Sequence, residues 1–181
     1  GLEAYYSHAH FDNVQIFGEG NDQTYSFAND DNDFIFGWGW TYSYSLRIKE
    51  YSDHLTLIRE NNSREIYTPN GDGTYTAIPT NTYDQLTKDG SGFTLRTKHG
   101  IIYRFDLNGQ LNYIEDRNGN RTTLSYTMIG GKLRLTEIAS NGTRKLALQY
   151  GPNNMVKSVT DPAGNPVEYF YDPYGHLTRV E

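Results

Sequence analysis

The feature that most limits what this chain can fold into is a repeat of about twenty-two residues in its second half. A Gly-x-Leu unit stands at Gly109-Gln110-Leu111, at Gly131-Lys132-Leu133 and at Gly175-His176-Leu177, with the degenerate Asn153-Asn154-Met155 between them. A second register is set by Gly119, Gly142 and Gly164, in Asp116-Arg117-Asn118-Gly119-Asn120, Asn141-Gly142 and Asp161-Pro162-Ala163-Gly164-Asn165. A third is set by Tyr126, Tyr150 and Tyr171, with Phe105 in the corresponding earlier place. A unit this short holds two strands and two turns, with Gly or Asn where the turn backbone needs positive φ. It cannot bury a face alone, so each unit must lean on its neighbours and the array grows in one direction.

Upstream, period-two patterning predicts further strands. Phe36, Trp38, Trp40, Tyr42, Tyr44, Leu46 and Ile48 occupy alternate positions, with small or polar residues between, and predict one long strand with a single aromatic face. Ser52-Asp53, Asn61-Asn62 and the cluster Pro69-Asn70-Gly71-Asp72-Gly73 predict turns between strands over 44–51, 54–60, 64–68 and 74–78. Residues 79–90 read as a longer loop. The chain divides into an irregular segment, 1–35, a β-rich lead-in region, 36–99, and the repeats, 100–181. The pattern predicts that the repeats continue beyond Glu181.

Mean hydropathy is low, at −0.73, yet 16 Tyr, 8 Phe and 2 Trp argue for an ordered chain, because tyrosine buries a large ring behind a polar tip. A net charge of −6 without a basic run argues against nucleic-acid binding. There is no cysteine, hence no disulfide or thiolate site, and no apolar run is long enough to span a membrane.

Two segments carry a family resemblance: Tyr171-Asp172-Pro173-Tyr174-Gly175-His176-Leu177-Thr178-Arg179-Val180, and Phe105-Asp106-Leu107-Asn108-Gly109-Gln110-Leu111 running into Ile114-Glu115-Asp116-Arg117-Asn118-Gly119-Asn120. They resemble the Tyr-Asp (YD) repeats of the RHS family, which includes bacterial polymorphic toxins, insecticidal toxin complex subunits and teneurins. Phe36-Gly37-Trp38-Gly39-Trp40-Thr41 is similar to the aromatic lead-in of such arrays. So are Tyr83-Asp84-Gln85-Leu86, Gly92-Phe93-Thr94-Leu95 and Tyr103-Arg104-Phe105. The resemblance covers residues 36–181. Departures are Phe105 for Tyr, Asn153 for Gly, and no Asp after Tyr126 or Tyr150. The resemblance implies an all-β antiparallel meander, part of a curved, spiralling hollow shell. It also implies a secreted or surface-displayed bacterial protein, whose partners are other repeats and an enclosed C-terminal toxin or effector. The self-cleaving aspartyl site of such shells belongs to their C-terminal end, so no residue here inherits a catalytic role.

The residues themselves point away from chemistry. His8, His10, His54, His99 and His176 lack metal-ligand spacing. Asp30, Asp31 and Asp33, or Asp116–Asn120, could suggest calcium, but the full loop pattern is missing, and the Asp116 turn recurs at Asp161. No nucleophile elbow, phosphate loop or dinucleotide fingerprint occurs. Scattered carboxylates leave a glycosidase as a third reading. The expectation is therefore no enzyme, no cofactor and no metal, with Asp106, Gly109, Asp116, Gly119, Gly131, Gly142, Asp161, Gly164, Asp172 and Gly175 as structural turn positions. The alternative is a surface adhesion or carbohydrate-binding module that contacts glycans through Trp38 and Trp40. Cross-strand packing is the simpler use of such a face.

Overall fold

Alternating short strands and Gly/Asn/Asp turns give a sheet in which nearly every strand pairs with its neighbours in sequence. The computed structural model describes residues 34–80, 83–142 and 144–181, with the backbone alone of 10–11 and 14–18. Three short strands, β1 (His10–Phe11), β2 (Val14–Gly18) and β3 (Trp40–Tyr42), make a small antiparallel sheet in the order β1-β2-β3. The lead-in region continues with β4 (Arg47–Glu50), β5 (Leu55–Ile58), β6 (Arg64–Pro69), β7 (Thr74–Ile78), β8 (Gln85–Asp89) and β9 (Gly92–Arg96). The repeats supply β10 (Ile102–Phe105), β11 (Leu111–Glu115), β12 (Arg121–Ile129), β13 (Lys132–Ser140), β14 (Arg144–Tyr150), β15 (Val156–Thr160), β16 (Pro166–Tyr171) and β17 (Leu177–Val180). From β4 to β17 they form one 14-stranded antiparallel meander in sequence order, not closed into a barrel, and no helix occurs among the described residues. The all-β antiparallel fold expected from the periodicity is the fold observed.

One face of this sheet is apolar. Leu55, Leu57, Tyr67, Leu86, Phe93, Leu95, Phe105, Leu111, Leu135 and Val156 are all buried and belong to a single core cluster. The same face of the lead-in strands also carries ion pairs, since Glu65 stands across from Leu57 and two residues before Tyr67. Arg59 holds Glu65 (2.7 Å) and Asp84 (2.8 Å), tying the end of β5 to β6 and to the start of β8.

Four register shifts recur, between Arg104 and Phe105, Ser125 and Tyr126, Gln149 and Tyr150, and Phe170 and Tyr171. In each, the aromatic residue pairs across from Leu111, Leu135, Val156 or Leu177, and one residue of the partner strand is left over. Such a bulge bends the strand and increases its twist. The third sequence register is thus the bulge position, which is why Phe105 and the three tyrosines kept step.

Two expectations are corrected. Residues 36–48 are not one strand. Turns closed by Gly37 N–H to the Phe34 carbonyl (3.0 Å), Trp40 N–H to Gly37 (3.2 Å) and Ser45 N–H to Tyr42 (3.0 Å) break it into β3 and β4. Gly37 and Gly39 adopt φ of 92° and 80°, outside any strand. Burial still alternates from Tyr42 to Ile48, all four large residues being buried, with Tyr42 closing β3, Ile48 in β4 and Tyr44 and Leu46 in the segment between them. The loop expected over 79–90 contains a regular strand, β8, whose Leu86 is buried opposite Leu95. Its polar run Thr87-Lys88-Asp89 hid the alternation.

Candidate functional site

A meander places successive turns at opposite ends of the sheet. At one end lie the turns Asp106–Gln110, Gly130-Gly131, Gly151–Met155 and Asp172–His176; at the other lie Asp116–Asn120, Asn141-Gly142 and Asp161–Asn165. Residues 34–48 run as a strap across the first end, and this seam is where the molecule brings its distinctive residues together.

The strap is held by backbone bonds at three places. Trp38 N–H donates to the Gly175 carbonyl (3.0 Å), Val156 N–H donates to the Ile35 carbonyl (2.7 Å), and Ile48 N–H donates to the Gly109 carbonyl (2.9 Å). Arg47 also bridges to Gln110, so β4, the first strand of the large sheet, meets the turn between β10 and β11. Between these anchors Phe36 sits edge-on to Tyr169 (5.1 Å between ring centroids) and to Tyr42 (5.6 Å). Burial raises the pKa of the Tyr42 phenol well above its ordinary value, with the Tyr126 and Tyr150 phenols adding to the shift.

Close approach explains two glycines. Gly109 and Gly175 are buried, at φ of 78° and 89°. A Cβ on Gly109 would overlap the Ile48 carbonyl, and one on Gly175 would lie 2.6 Å from Met155 Cε and 2.9 Å from Trp38 Cδ1. Gly119, Gly131, Gly142 and Gly164 have open space at the same point, so at these positions only the backbone angle is demanding. The registers read from sequence therefore mix two kinds of glycine. Two further corrections follow. The counterpart of Gly109 in the third unit is Asn154, at φ 60°, and not Asn153. Gly131 belongs to a two-residue tip with Gly130 on a longer hairpin.

The turns share one chemistry. In each of Asp106–Gln110, Asp116–Asn120, Asp161–Asn165 and Asp172–His176, the aspartate N–H bonds the carbonyl four residues on, and the glycine N–H bonds the aspartate carbonyl. The carboxylate then accepts the backbone N–H groups two and four residues later, as Asp116 does from Asn118 (2.8 Å) and Asn120 (2.9 Å). Its second oxygen takes the Asn120 or Asn165 amide, or His176 Nδ1 (2.8 Å). These bonds, the side chains of Asn120, Asn165 and His176 first, lower the carboxyl pKa of Asp116, Asp161 and Asp172. A carboxyl whose pKa is lowered by folding adds stability above its ordinary value near 3.8 and loses it as pH falls through the lowered value. Urea midpoints are expected to fall below about pH 4, and the triple variant Asp116→Asn, Asp161→Asn, Asp172→Asn should show a shallower acid limb.

Sequence periodicity gave no sign of the tyrosine ties. Tyr126, Tyr150 and Tyr171 each donate a hydroxyl hydrogen bond to a carbonyl fifteen residues earlier, at Leu111 (2.8 Å), Leu135 (2.7 Å) and Val156 (2.8 Å). Each bond fastens a bulge tyrosine to the strand before it, at the residue that faces the preceding bulge aromatic: Leu111 opposite Phe105, Leu135 opposite Tyr126 and Val156 opposite Tyr150. Tyr169 differs: its hydroxyl is buried with no hydrogen-bond partner. Phenylalanine at 126, 150 or 171 should cost about 1 kcal/mol each, whereas Tyr169→Phe should be neutral or stabilising. Thermal or urea unfolding of the four variants separates the two classes.

Of the residues considered for ligands, Trp38 is 48% exposed beside Gly175, while Trp40 is half-buried against the core. His54 pairs with Asp53 (2.7 Å) and stacks on Tyr51. His8, Asp30, Asp31 and Asp33 lie outside the described residues, as does the side chain of His10. No cluster of three or more His, Asp or Glu suited to a metal occurs among the described residues, and no helix there is long and apolar enough to cross a membrane. No model of a known protein family matches the chain, and no curated protein matches it.

Proposed function

We propose that this chain is a wall segment of an RHS-type, YD-repeat shell, which encloses or displays a C-terminal toxin or effector of the same polypeptide outside the cell. The observation that carries this reading is the repeated pairing of an Asp-x-x-Gly turn with a bulge tyrosine tied to the preceding strand. Three aspartates and three tyrosines hold neighbours together: Asp116, Asp161 and Asp172 close turns, and Tyr126, Tyr150 and Tyr171 bind backbone. A wall needs stiffness and periodicity and no reactive centre. Its partners are then further repeats and the enclosed segment. Limited proteolysis of the parent polypeptide tests this. The segment after the repeats should resist digestion, and Gly109→Val together with Gly175→Val should expose it. Equal digestion with and without these changes contradicts the reading.

A glycan-binding surface is the second reading, favoured by the exposed rings of Trp38 and Tyr174, the latter 78% exposed on the neighbouring turn. It requires a glycan-array signal that Trp38→Ala removes.

A further inference from the structure

Four asparagines stand directly before glycine: Asn70-Gly71, Asn108-Gly109, Asn118-Gly119 and Asn141-Gly142. In such a pair the glycine nitrogen, with no Cβ beside it, can reach the side-chain amide carbon of the asparagine. All four asparagines are exposed, yet the fold holds them differently. Asn70 is fixed at both ends of its amide, Nδ2 donating to Thr74 Oγ1 (2.9 Å) and Oδ1 accepting from Thr76 Oγ1 (3.0 Å). Asn141 is fixed likewise, Oδ1 accepting from Arg121 N–H (2.8 Å) and Nδ2 donating to Asn120 Oδ1 (3.3 Å). Asn108 and Asn118 occupy the same place in the same turn, each with its N–H on the carboxylate of Asp106 or Asp116. What differs is the glycine that follows. Gly109 is buried under the strap with its carbonyl bonded to Ile48 N–H (2.9 Å), whereas Gly119 is exposed, with open space where a Cβ would stand. The Asn108 amide has a long contact to Asp106 (3.5 Å), and among the described residues no hydrogen bond holds the Asn118 amide.

We propose that Asn118 is the chain's site of spontaneous deamidation, and that the strap shields its counterpart Asn108 from the same reaction. Solvent hydroxide removes the Gly119 amide proton, and the nitrogen attacks Asn118 Cγ. The N–Cγ bond forms, and the Cγ–Nδ2 bond breaks as ammonia leaves with a proton taken from water. The succinimide then takes up one water: opening at Cγ gives aspartate, and opening at the main-chain carbonyl gives isoaspartate. In the second product the backbone runs through the side-chain methylene. Gly119 N–H and Asn120 N–H then no longer align on the Asp116 carbonyl and carboxylate, which they meet at 3.1 and 2.9 Å. The hairpin of β11 and β12 loosens there, at the end of the sheet away from the strap. Gly109 N–H carries the same bond to the Asp106 carbonyl, at 3.1 Å, so that bond does not separate the two sites. The strap does. The inference follows from turn and strap geometry alone, so it stands or falls separately from the enclosure of a cargo.

The test ages the whole folded chain in mildly alkaline buffer. Samples are digested, and tandem mass spectrometry localises each amide-to-acid mass step, with isoaspartate counted by enzymatic methylation. Asn118 should convert first. A neutral hydrogen bond on the amide is worth about fivefold in the fraction of molecules whose amide is free, so the doubly held Asn70 and Asn141 should lag by about tenfold or more. Asn108 should also lag by at least about fivefold, the share of the Ile48 bond that holds its glycine. Asn118→Ser should remove the early product and leave the other three rates unchanged. In urea above the unfolding midpoint the four rates should draw together. Asn108 converting as fast as Asn118 in the folded chain, or Asn70 or Asn141 converting faster, would overturn the proposal. So would the same order of rates in urea, which would place the preference in the neighbouring residues and not in the fold.

Discussion

Gly109→Ala is expected to destabilise the fold by about 2–5 kcal/mol, while Gly119→Ala should cost about 1–2 kcal/mol. Both residues hold a left-handed turn position, at φ of 78° and 81°, and both would pay the same backbone penalty. Only Gly109 also faces the strap, where an added methyl would collide with the Ile48 carbonyl that follows the amide bonded to its own. The methyl cannot be absorbed by a rotamer change, since the opposing atoms are backbone. Urea denaturation of the two variants against the parent measures the difference. Equal midpoints would mean that the strap does not rest on this turn.

Phe36→Ala should cost about 3–5 kcal/mol, the usual range for emptying a buried phenylalanine site. The ring is 1% exposed and lies between Tyr42 of the strap and Tyr169 of β16, so its loss also uncovers part of the tyrosine cluster beneath. Trp38→Ala, two residues away, should cost clearly less, because nearly half of that ring already meets solvent. Intrinsic fluorescence during unfolding reports both. A Trp38 variant that loses more stability than the Phe36 variant would reverse the assignment of which ring anchors the strap.

The repeat was legible because its turns and bulges recur in sequence as well as in space. Asp116 and Asp161 stand at the same point of the same turn, and Phe105, Tyr126, Tyr150 and Tyr171 mark the same bulge. Residues 36–48 misled for a physical reason. Alternating burial arises in one paired strand, but it also survives where a turn separates two short strands, as the turn from Tyr42 to Ser45 separates β3 from β4. The turn at Tyr42–Ser45 and the positive φ of Gly37 and Gly39 separate the two cases, and glycine is compatible with both. Spacing alone puts the glycine position at Asn153, because asparagine stands at both 153 and 154, and only the bond from Asn154 N–H to the Gly151 carbonyl (3.0 Å) shows which of them occupies it. The difference between Gly109 and Gly119 could not be read at all. It depends on a strap that lies sixty residues upstream of the turn it touches.

Seam and ties divide the work of stiffening the sheet. The tyrosine hydroxyls and aspartate turns act between adjacent strands, so they stabilise any number of units. The strap acts across units, joining the Asp106–Gln110 turn to the Asp172–His176 turn through Ile48 and Trp38. A meander held only by neighbours could flex from strand to strand, whereas one laced across its turns moves as a unit.

Native-state hydrogen exchange at the amides of Trp38, Ile48 and Val156 tests that lacing most directly, since these three donors carry the bonds between the strap and the sheet. The structure predicts that all three exchange as slowly as amides in the middle of β12–β15 and respond to denaturant with the same slope, opening only when the sheet opens. Exchange of the three at loop-like rates, while the sheet amides stay protected, would show a detached strap and contradict the account.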